Sequence, residues 1–230
     1  HVRYASQIHM AYIRTGNPAV DDVARAGLES LRQTLIQRTS VEPAGTVGLD
    51  PERDDLSFFP LIYWPVTAGQ ETLEPRALAN IQYYLDHGGT VLIDTRDQIS
   101  VPSGYGEGGG SNAGTLRRLL AGLDIPPLMA MPADHVLTKS FYLLRSVPGR
   151  YDGRTLWIEE NSAGGRDGVS SVIIGGNDWA GAWAQAGGGA VTQNQEYALR
   201  FGVNLMMYAL TGNYKADQVH LPHILERLGQ

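Results

Sequence analysis

The chain has 230 residues, of which 43% are hydrophobic and 18% are charged, a composition that argues against intrinsic disorder. Its net charge is −6 and it has no long basic run, which argues against nucleic acid as the main partner. Cysteine is absent, so disulfides, thiolate zinc sites and cysteine nucleophiles are excluded. No apolar run approaches the ~20 residues of a membrane span.

The first half of the chain alternates strand and helix patterns. An N-cap asparagine followed by proline, Asn17-Pro18, opens a helix whose apolar residues recur at helical spacing. A second helix ends at Gly88-Gly89, because glycine tolerates the left-handed conformation of a helix C-cap. The sequence predicts a strand at 8–13, a helix from Asn17, a loop at 39–55, a strand at 58–64 and a helix from Pro75 to Gly88.

The second half begins with a short apolar run, Val91-Leu92-Ile93, that is typical of a strand buried on both faces. A glycine-rich stretch at 104–110 is interpreted as a flexible insertion or, more sharply, as a lid. The remaining expected elements are a short helix at 116–123, an irregular segment at 134–147, strands at 156–158 and 172–174, a helix at 193–210 capped by Gly212, and a last short helix at 219–228.

This alternation predicts a mostly parallel sheet with helices on both faces, joined by right-handed crossovers. We see no internal repeat and no domain boundary, and the chain begins at His1 without Met. We therefore expect a single α/β domain, residues 1–230, cut from a longer protein. In open α/β sheets, ligands bind beyond the carboxyl ends of the strands.

Polar or aromatic residues lie at the ends of four of the expected strands, with Tyr63 and Trp64 at one of them, and the parallel arrangement brings them to one edge of the sheet. Arg14 and Arg96 are suited to holding an anion, while the aspartates are suited to a divalent cation or to acid–base chemistry. The alternative is that these charges pair with one another and cap nearby helices. The ligand-binding candidates are Arg14, Thr15, Asp94, Thr95, Arg96, Asp97, Asn177, Asp178 and Trp179.

The sequence lacks the usual catalytic and cofactor fingerprints. The phosphate-loop and dinucleotide-binding patterns are missing, and so is the G-x-S-x-G frame of a nucleophile elbow. We predict no cofactor, no metal site and no catalytic residue. If the domain is catalytic, the candidates are Asp94 and His135. His135 would act as a general base, and the alternative is a surface or structural histidine. Trp64 is expected in the core, and Trp179 and Trp183 either line a pocket or belong to the core.

Several motifs resemble one bacterial family of domains of unknown function, and they match it in order along almost the whole chain. They are Arg14-Thr15-Gly16-Asn17, Asp50-Pro51-Glu52-Arg53-Asp54, Phe59-Pro60-Leu61-Ile62-Tyr63-Trp64-Pro65, the stretch from Gly88 to Arg96, the stretch from His135 to Leu143, and Asn177-Asp178-Trp179.

The resemblance implies a flavodoxin-like fold similar to that of class I glutamine amidotransferases. It does not carry over their activity, because that chemistry needs a cysteine and this chain has none. In that family the domain often forms the C-terminal part of larger membrane proteins whose N-terminal part resembles BatA. The resemblance therefore implies a parent protein anchored in a bacterial inner membrane, with this domain soluble beside it, and we expect the periplasmic side.

Three hypotheses about function follow. The first is a non-catalytic module that binds an unknown small molecule or a protein partner at the strand ends. The second is a hydrolase that uses Asp94 or His135 as a base, with or without Mg²⁺. The third is a structural domain for assembly with partners, suggested by the apolar tail at 219–228.

Overall fold

The computed structural model describes residues 7–96, 111–151, 155–160 and 170–228, with the backbone alone for residues 111 and 212–228. Seven strands form one sheet in the order β2-β1-β3-β4-β7-β6-β5. The strands are β1 (Met10–Ile13), β2 (Thr46–Leu49), β3 (Leu61–Pro65), β4 (Thr90–Asp94), β5 (Leu128–Ala130), β6 (Trp157–Glu159) and β7 (Val172–Gly175).

The five strands from β2 to β7 in that order are all parallel. Strand β6 runs antiparallel to both β7 and β5. The expectation of a mostly parallel sheet thus holds for the five-stranded part, whereas the sheet as a whole is mixed. The parallel strands β1, β3, β4 and β7 are buried along their full length, as the unbroken apolar runs predict.

Helices cover both faces of the sheet, which confirms the α/β class. They are α1 (Pro18–Arg38), α2 (Pro75–Asp86), α3 (Ser111–Leu120), α4 (Trp179–Ala186) and α5 (Gln193–Leu228). One core is built from α1, α4, α5 and the side chains that the strands present to them. The other core is built from α2, α3 and the opposite side of the strands. None of the described helices is both long and apolar enough to cross a bilayer.

Several expected boundaries were wrong for identifiable reasons. Strand β2 lies within the expected loop 39–55, since it is a short, half-buried edge strand that contains a glycine. Helix α4 was missed because its sequence WAGAWAQA is apolar around most of its surface and shows no helical stripe. Helix α5 continues through Gly212 to Leu228 as one helix, so neither the cap nor a separate tail helix is present. The glycine-rich stretch at 104–110 lies outside the described residues.

Candidate functional site

The strand order reverses between β1 and β3. From β1 the chain continues through α1 to β2 on one side, and from β3 it continues through α2 to β4 on the other. Helix α1 packs on one face of the sheet and α2 on the opposite face. The two helices therefore diverge and leave a crevice above the carboxyl ends of the strands, the place where ligands bind in open α/β sheets.

A cavity of about 680 Å³ occupies this crevice. We call it the switch-point cavity. Three loops form it, those that follow β1, β2 and β3. Its lining consists of Arg14, Thr15, Gly16, Asn17, Asp21, Asp50, Pro51, Thr67, Ala68, Gly69, Gln70 and Glu71.

The loop after β1 is held in place by its own polar side chains. Asp21 accepts hydrogen bonds from the backbone N–H and from the Oγ1 hydroxyl of Thr15, both at 2.8 Å. The Oδ1 atom of Asn17 accepts from the N–H of Ala19 at 3.1 Å and so caps α1. Gly16 adopts a φ of 80°, which glycine reaches without a steric cost. These hydrogen bonds fix the part of the cavity wall that the loop after β1 supplies.

The first turn of α1 is poorly suited to a phosphate. Pro18 has no N–H, the N–H of Ala19 is taken by Asn17, and the N–H groups of Val20 and Asp21 point to the Asn17 carbonyl. Asp21 adds a negative charge at the position where a helix dipole would otherwise attract an anion. The usual anion site of a strand–helix loop is therefore closed here.

The cavity carries more negative than positive charge. Its ionisable lining consists of the cation Arg14 and the carboxylates of Asp21, Asp50 and Glu71. The Nη2 atom of Arg14 lies 3.8 Å from Oδ2 of Asp50, and the Arg14 side chain is 52% exposed. Its guanidinium can therefore still donate hydrogen bonds to a ligand in the cavity. A neutral or cationic polar ligand suits this lining better than an anion does.

A second group of polar residues lies at the ends of β4 and β7, centred on Asp94. This side chain is fully buried and accepts four hydrogen bonds. The donors are the Tyr63 hydroxyl at 2.9 Å and the backbone N–H groups of Arg96, Asp178 and Trp179 at 2.9, 3.2 and 2.8 Å. Asp94 thereby ties β3, the loop after β4 and the start of α4 together.

Two of the residues bound to Asp94 have left-handed backbone conformations. Arg96 has a φ of 54° and Asp178 a φ of 53°, both uncommon for residues other than glycine. The Arg96 guanidinium donates to the Val66 carbonyl, with Nη2 at 3.3 Å and Nε at 3.4 Å, so it braces the loop that lines the switch-point cavity. We call Asp94 and its partners Tyr63, Arg96, Asp178 and Trp179 the Asp94 network. Through Arg96 this network holds the start of the loop after β3, which lines the cavity.

Asp178 and its neighbour complete the buried group. Asp178 forms an ion pair with Arg150 at 3.3 Å, and the Nδ2 group of Asn177 donates to the Val147 carbonyl at 2.8 Å. The Oδ1 atoms of both residues are buried without a hydrogen-bond partner. Among the described residues, no group of three or more His, Asp or Glu side chains is placed to hold a metal ion.

Burial, the largest cause, and the nearby Asp178 carboxylate together raise the pKa of Asp94 to about 7, although the hydrogen bonds from Trp179, Arg96 and Tyr63 act in the opposite direction. The folded protein therefore holds a proton on Asp94 at pH values where the unfolded chain has lost it. Protonation of Asp94 therefore makes its full contribution to the unfolding free energy below the unfolded pKa of about 4. This contribution is lost as the pH rises toward about 7.

We expect Asp94→Asn to respond to pH differently from the wild type. The wild type should lose about 3 kcal/mol of unfolding free energy through Asp94 between about pH 5 and about pH 8, whereas asparagine does not titrate. The stability gap between the two proteins should narrow accordingly. Urea unfolding of both proteins at the two pH values measures this gap, and the comparison cancels the other titrating groups. A gap that stays constant would contradict the raised pKa.

His135 lies away from Asp94. Its ring is 5.9 Å from the ring of Tyr208 on α5, and the Tyr208 hydroxyl accepts a hydrogen bond from the N–H of Ser170, just before β7. Asp94 pairs with Gly175 at the other end of β7, about 15 Å along the strand. The Nδ1 atom of His135 accepts from the N–H of Leu137 at 3.3 Å, and burial lowers its pKa. The two residues do not face a common site.

The structure divides the sequence-predicted ligand residues into two sets. Arg14 and Thr15 line the cavity. The other set, Asp94, Thr95, Asn177, Asp178 and Trp179, is buried, with the half-buried Arg96 beside it. Asp97 lies outside the described residues. Both Trp179 and Trp183 belong to the core, as does Trp64.

Sequence reasoning missed most of the cavity lining. The loop after β3, Thr67-Ala68-Gly69-Gln70-Glu71, is a polar, glycine-containing segment directly after a buried strand, and that signal was available. Asp50 follows β2, which was not recognised as a strand. Asp21 is not among the predicted site residues, because its contact with Thr15 depends on the fold of the loop.

Together these features define an α/β domain with a ligand-sized cavity at the reversal of strand order and a buried carboxylate network beside it. The chain belongs to the family described as Domain of unknown function (DUF4159), whose family model matches residues 9–210. No curated protein matches the chain.

Proposed function

We propose that this domain is a non-catalytic binding module that takes a small polar ligand in the switch-point cavity. The observation that carries the proposal is the cavity itself, formed by the loops after three adjacent parallel strands. Its volume of about 680 Å³ falls within the range of ~300–1,000 Å³ that small-molecule sites occupy. Its lining combines hydroxyl, amide and carboxylate groups with backbone, which suits recognition by hydrogen bonding.

The charge balance narrows the ligand class. Three carboxylates against one guanidinium disfavour anions, and the occupied first turn of α1 removes the usual phosphate site. Neutral sugars, zwitterionic amino acids and short neutral or cationic peptides therefore fit better than nucleotides.

The burial and the hydrogen bonding of Asp94 support a non-catalytic role. All four of its hydrogen-bond donors come from the protein, and the side chain is fully buried, so a substrate has no access to it. A general base must lie within hydrogen-bond reach of the proton that it takes. His135, the other catalytic candidate, lies near the start of β7 and does not supply that function at the cavity.

The wider setting is also part of the proposal. The arrangement β2-β1-β3-β4 is the order of the first strands of a flavodoxin-like sheet, which supports the glutamine amidotransferase-like fold that the resemblance implies. We place the domain in a BatA-like parent protein anchored in a bacterial inner membrane, on the periplasmic side. The sequence motifs that carry the family resemblance support this assignment.

A thermal-shift screen against sugars, amino acids, peptidoglycan fragments, nucleotides and divalent metals tests the proposal. A ligand at about a hundred times its Kd adds ~2.7 kcal/mol to the unfolding free energy, which raises the midpoint by several degrees. We expect a hit among the neutral or cationic compounds. We expect Ala68→Trp, which adds bulk to a lining residue, to abolish the shift, and Arg14→Gln to weaken it.

Arg76→Gln on α2 is the matched control for Arg14→Gln, because Arg76 is an exposed arginine outside the cavity. It should leave the shift unchanged. A hit that persists in Ala68→Trp would place the ligand elsewhere. A screen without any hit would overturn the small-molecule proposal and favour a protein partner.

A further inference from the structure

Two large apolar side chains project from the segment between Thr138 and Arg145. Leu143 is 86% exposed and Phe141 is 47% exposed. Leucine and phenylalanine are costly to hold in water, so a pair of them on one short loop needs an explanation. We call residues 138–145 the apolar loop.

The apolar loop is fixed rather than loose. Its base is closed by a hydrogen bond from the N–H of Leu144 to the Thr138 carbonyl at 2.8 Å. Its middle is held by Asn204 of α5, whose Oδ1 accepts from the N–H of Tyr142 at 2.7 Å. The Nδ2 group of Asn204 donates to the carbonyls of Leu137 and Tyr142, both at 2.9 Å.

The hydrogen bonds with Asn204 fix which side chains of the apolar loop face outward. Asn204 is fully buried, and its side chain bonds to the backbone of Tyr142 in the loop and of Leu137 just before it. The Ser140 hydroxyl also donates to the Asn204 carbonyl at 2.8 Å. Alternate residues of the loop therefore face inward, while Phe141 and Leu143 are held outward. A surface that is held in a fixed conformation loses little entropy when it binds.

The exposed residues on either side of this apolar pair are basic. Lys139 and Arg145 are exposed, so the outward side chains run lysine, phenylalanine, leucine, arginine at every second position. Residues 136–150 contain three basic residues and no acidic one, although the whole chain has a net charge of −6. Beneath the loop, Arg200 lies 5.2 Å from the ring of Tyr142, and Glu196 pairs with both Arg38 and Arg200.

We propose that the apolar loop is a docking surface for an anionic lipid bilayer. A projecting pair of apolar side chains suits the boundary between headgroups and acyl chains, and flanking cations suit the negative headgroups. The exposed cations Lys139 and Arg145 on either side of the apolar pair complement anionic headgroups, and this charge complementarity favours a lipid surface as the occupant. Such a small contact binds weakly by itself. In the membrane-anchored parent protein of the proposed function, on which this role rests, it would orient the domain against the bilayer.

Flotation of the 230-residue chain with vesicles tests the proposal. We expect binding to vesicles of phosphatidylglycerol and phosphatidylethanolamine, little binding to phosphatidylcholine, and loss of binding in about 0.5 M NaCl. The double variant Lys139→Gln/Arg145→Gln should bind about 30-fold more weakly, since each cation near an anionic surface contributes ~1 kcal/mol. Phe141→Ser/Leu143→Ser should lose at least about tenfold.

Tyr83→Ser/Val191→Ser is the matched control, because it removes two exposed apolar side chains elsewhere on the surface. It should bind as the wild type does, and so should Ala68→Trp, which separates this surface from the switch-point cavity. Equal binding by the loop variants and the wild type would overturn the proposal. So would an absence of binding to anionic vesicles, or self-association of the chain through the loop in sedimentation velocity.

Discussion

Replacing Asp94 with alanine is expected to lower the unfolding free energy by about 4 kcal/mol at about pH 5. The change removes the acceptor that the Tyr63 hydroxyl shares with the N–H groups of Arg96, Asp178 and Trp179. Each buried donor left without a partner costs ~1–3 kcal/mol, and burial prevents water from replacing the Asp94 carboxyl group. Urea unfolding followed by circular dichroism measures the loss.

The matched control is Asp124→Ala, because Asp124 is an exposed aspartate. Its hydrogen bonds with the Gln82 side chain involve only the backbone N–H and carbonyl of Asp124, so alanine can keep them. We expect a change within about 0.5 kcal/mol for this control. If Asp94→Ala were as stable as the control, the Asp94 network would not be what holds the strand ends and the start of α4 together.

Replacing Gly27 with alanine is expected to destabilise the fold by about 2–3 kcal/mol, against the ordinary preference of helices. In an exposed helix interior the same change stabilises by ~1 kcal/mol. Gly27 lies in α1 where that helix crosses α4, and an added Cβ would overlap the backbone carbonyl of Ala180. Backbone cannot rotate away as a flexible side chain does, so the two helices must separate.

Gly114→Ala provides the opposite case in the same protein. Gly114 lies within α3, and an added Cβ would have no heavy atom within 4 Å. We expect this variant to gain ~0.5–1 kcal/mol. Thermal and urea unfolding of both variants measure whether the unfolding free energy falls in Gly27→Ala and rises in Gly114→Ala. A gain in stability for Gly27→Ala would show that α1 and α4 do not pack as closely as the structure has them.

The fold was predictable where local patterns and tertiary structure agree. Asn17-Pro18 marks the start of α1, and the apolar runs of β4 and β7 mark buried parallel strands. Prediction failed where the environment decides the structure. Helix α4 is recognisable only once its almost complete burial is known, and the antiparallel direction of β6 is set by its neighbours and not by its three residues.

The site was predictable only in part. The rule that ligands bind beyond strand ends led to the edge of the sheet where the cavity lies, and Arg14 and Thr15 are among its lining residues. It does not distinguish a polar residue that faces a cavity from one that is buried beneath it. Asp94 follows an apolar run just as a ligand residue would, yet its four partners are all within the protein. That distinction depends on the strand order.

The most direct test of the account is an NMR titration of ¹⁵N-labelled domain with the compound that gives the largest thermal shift. We predict that the amide signals of Thr15, Gly16 and Gly69, which lie in the loops around the switch-point cavity, will move with the ligand concentration. The amides of Phe141 and Leu143 should stay in place. Movement centred on any other surface, with the cavity amides unchanged, would contradict the proposal that this cavity is the binding site.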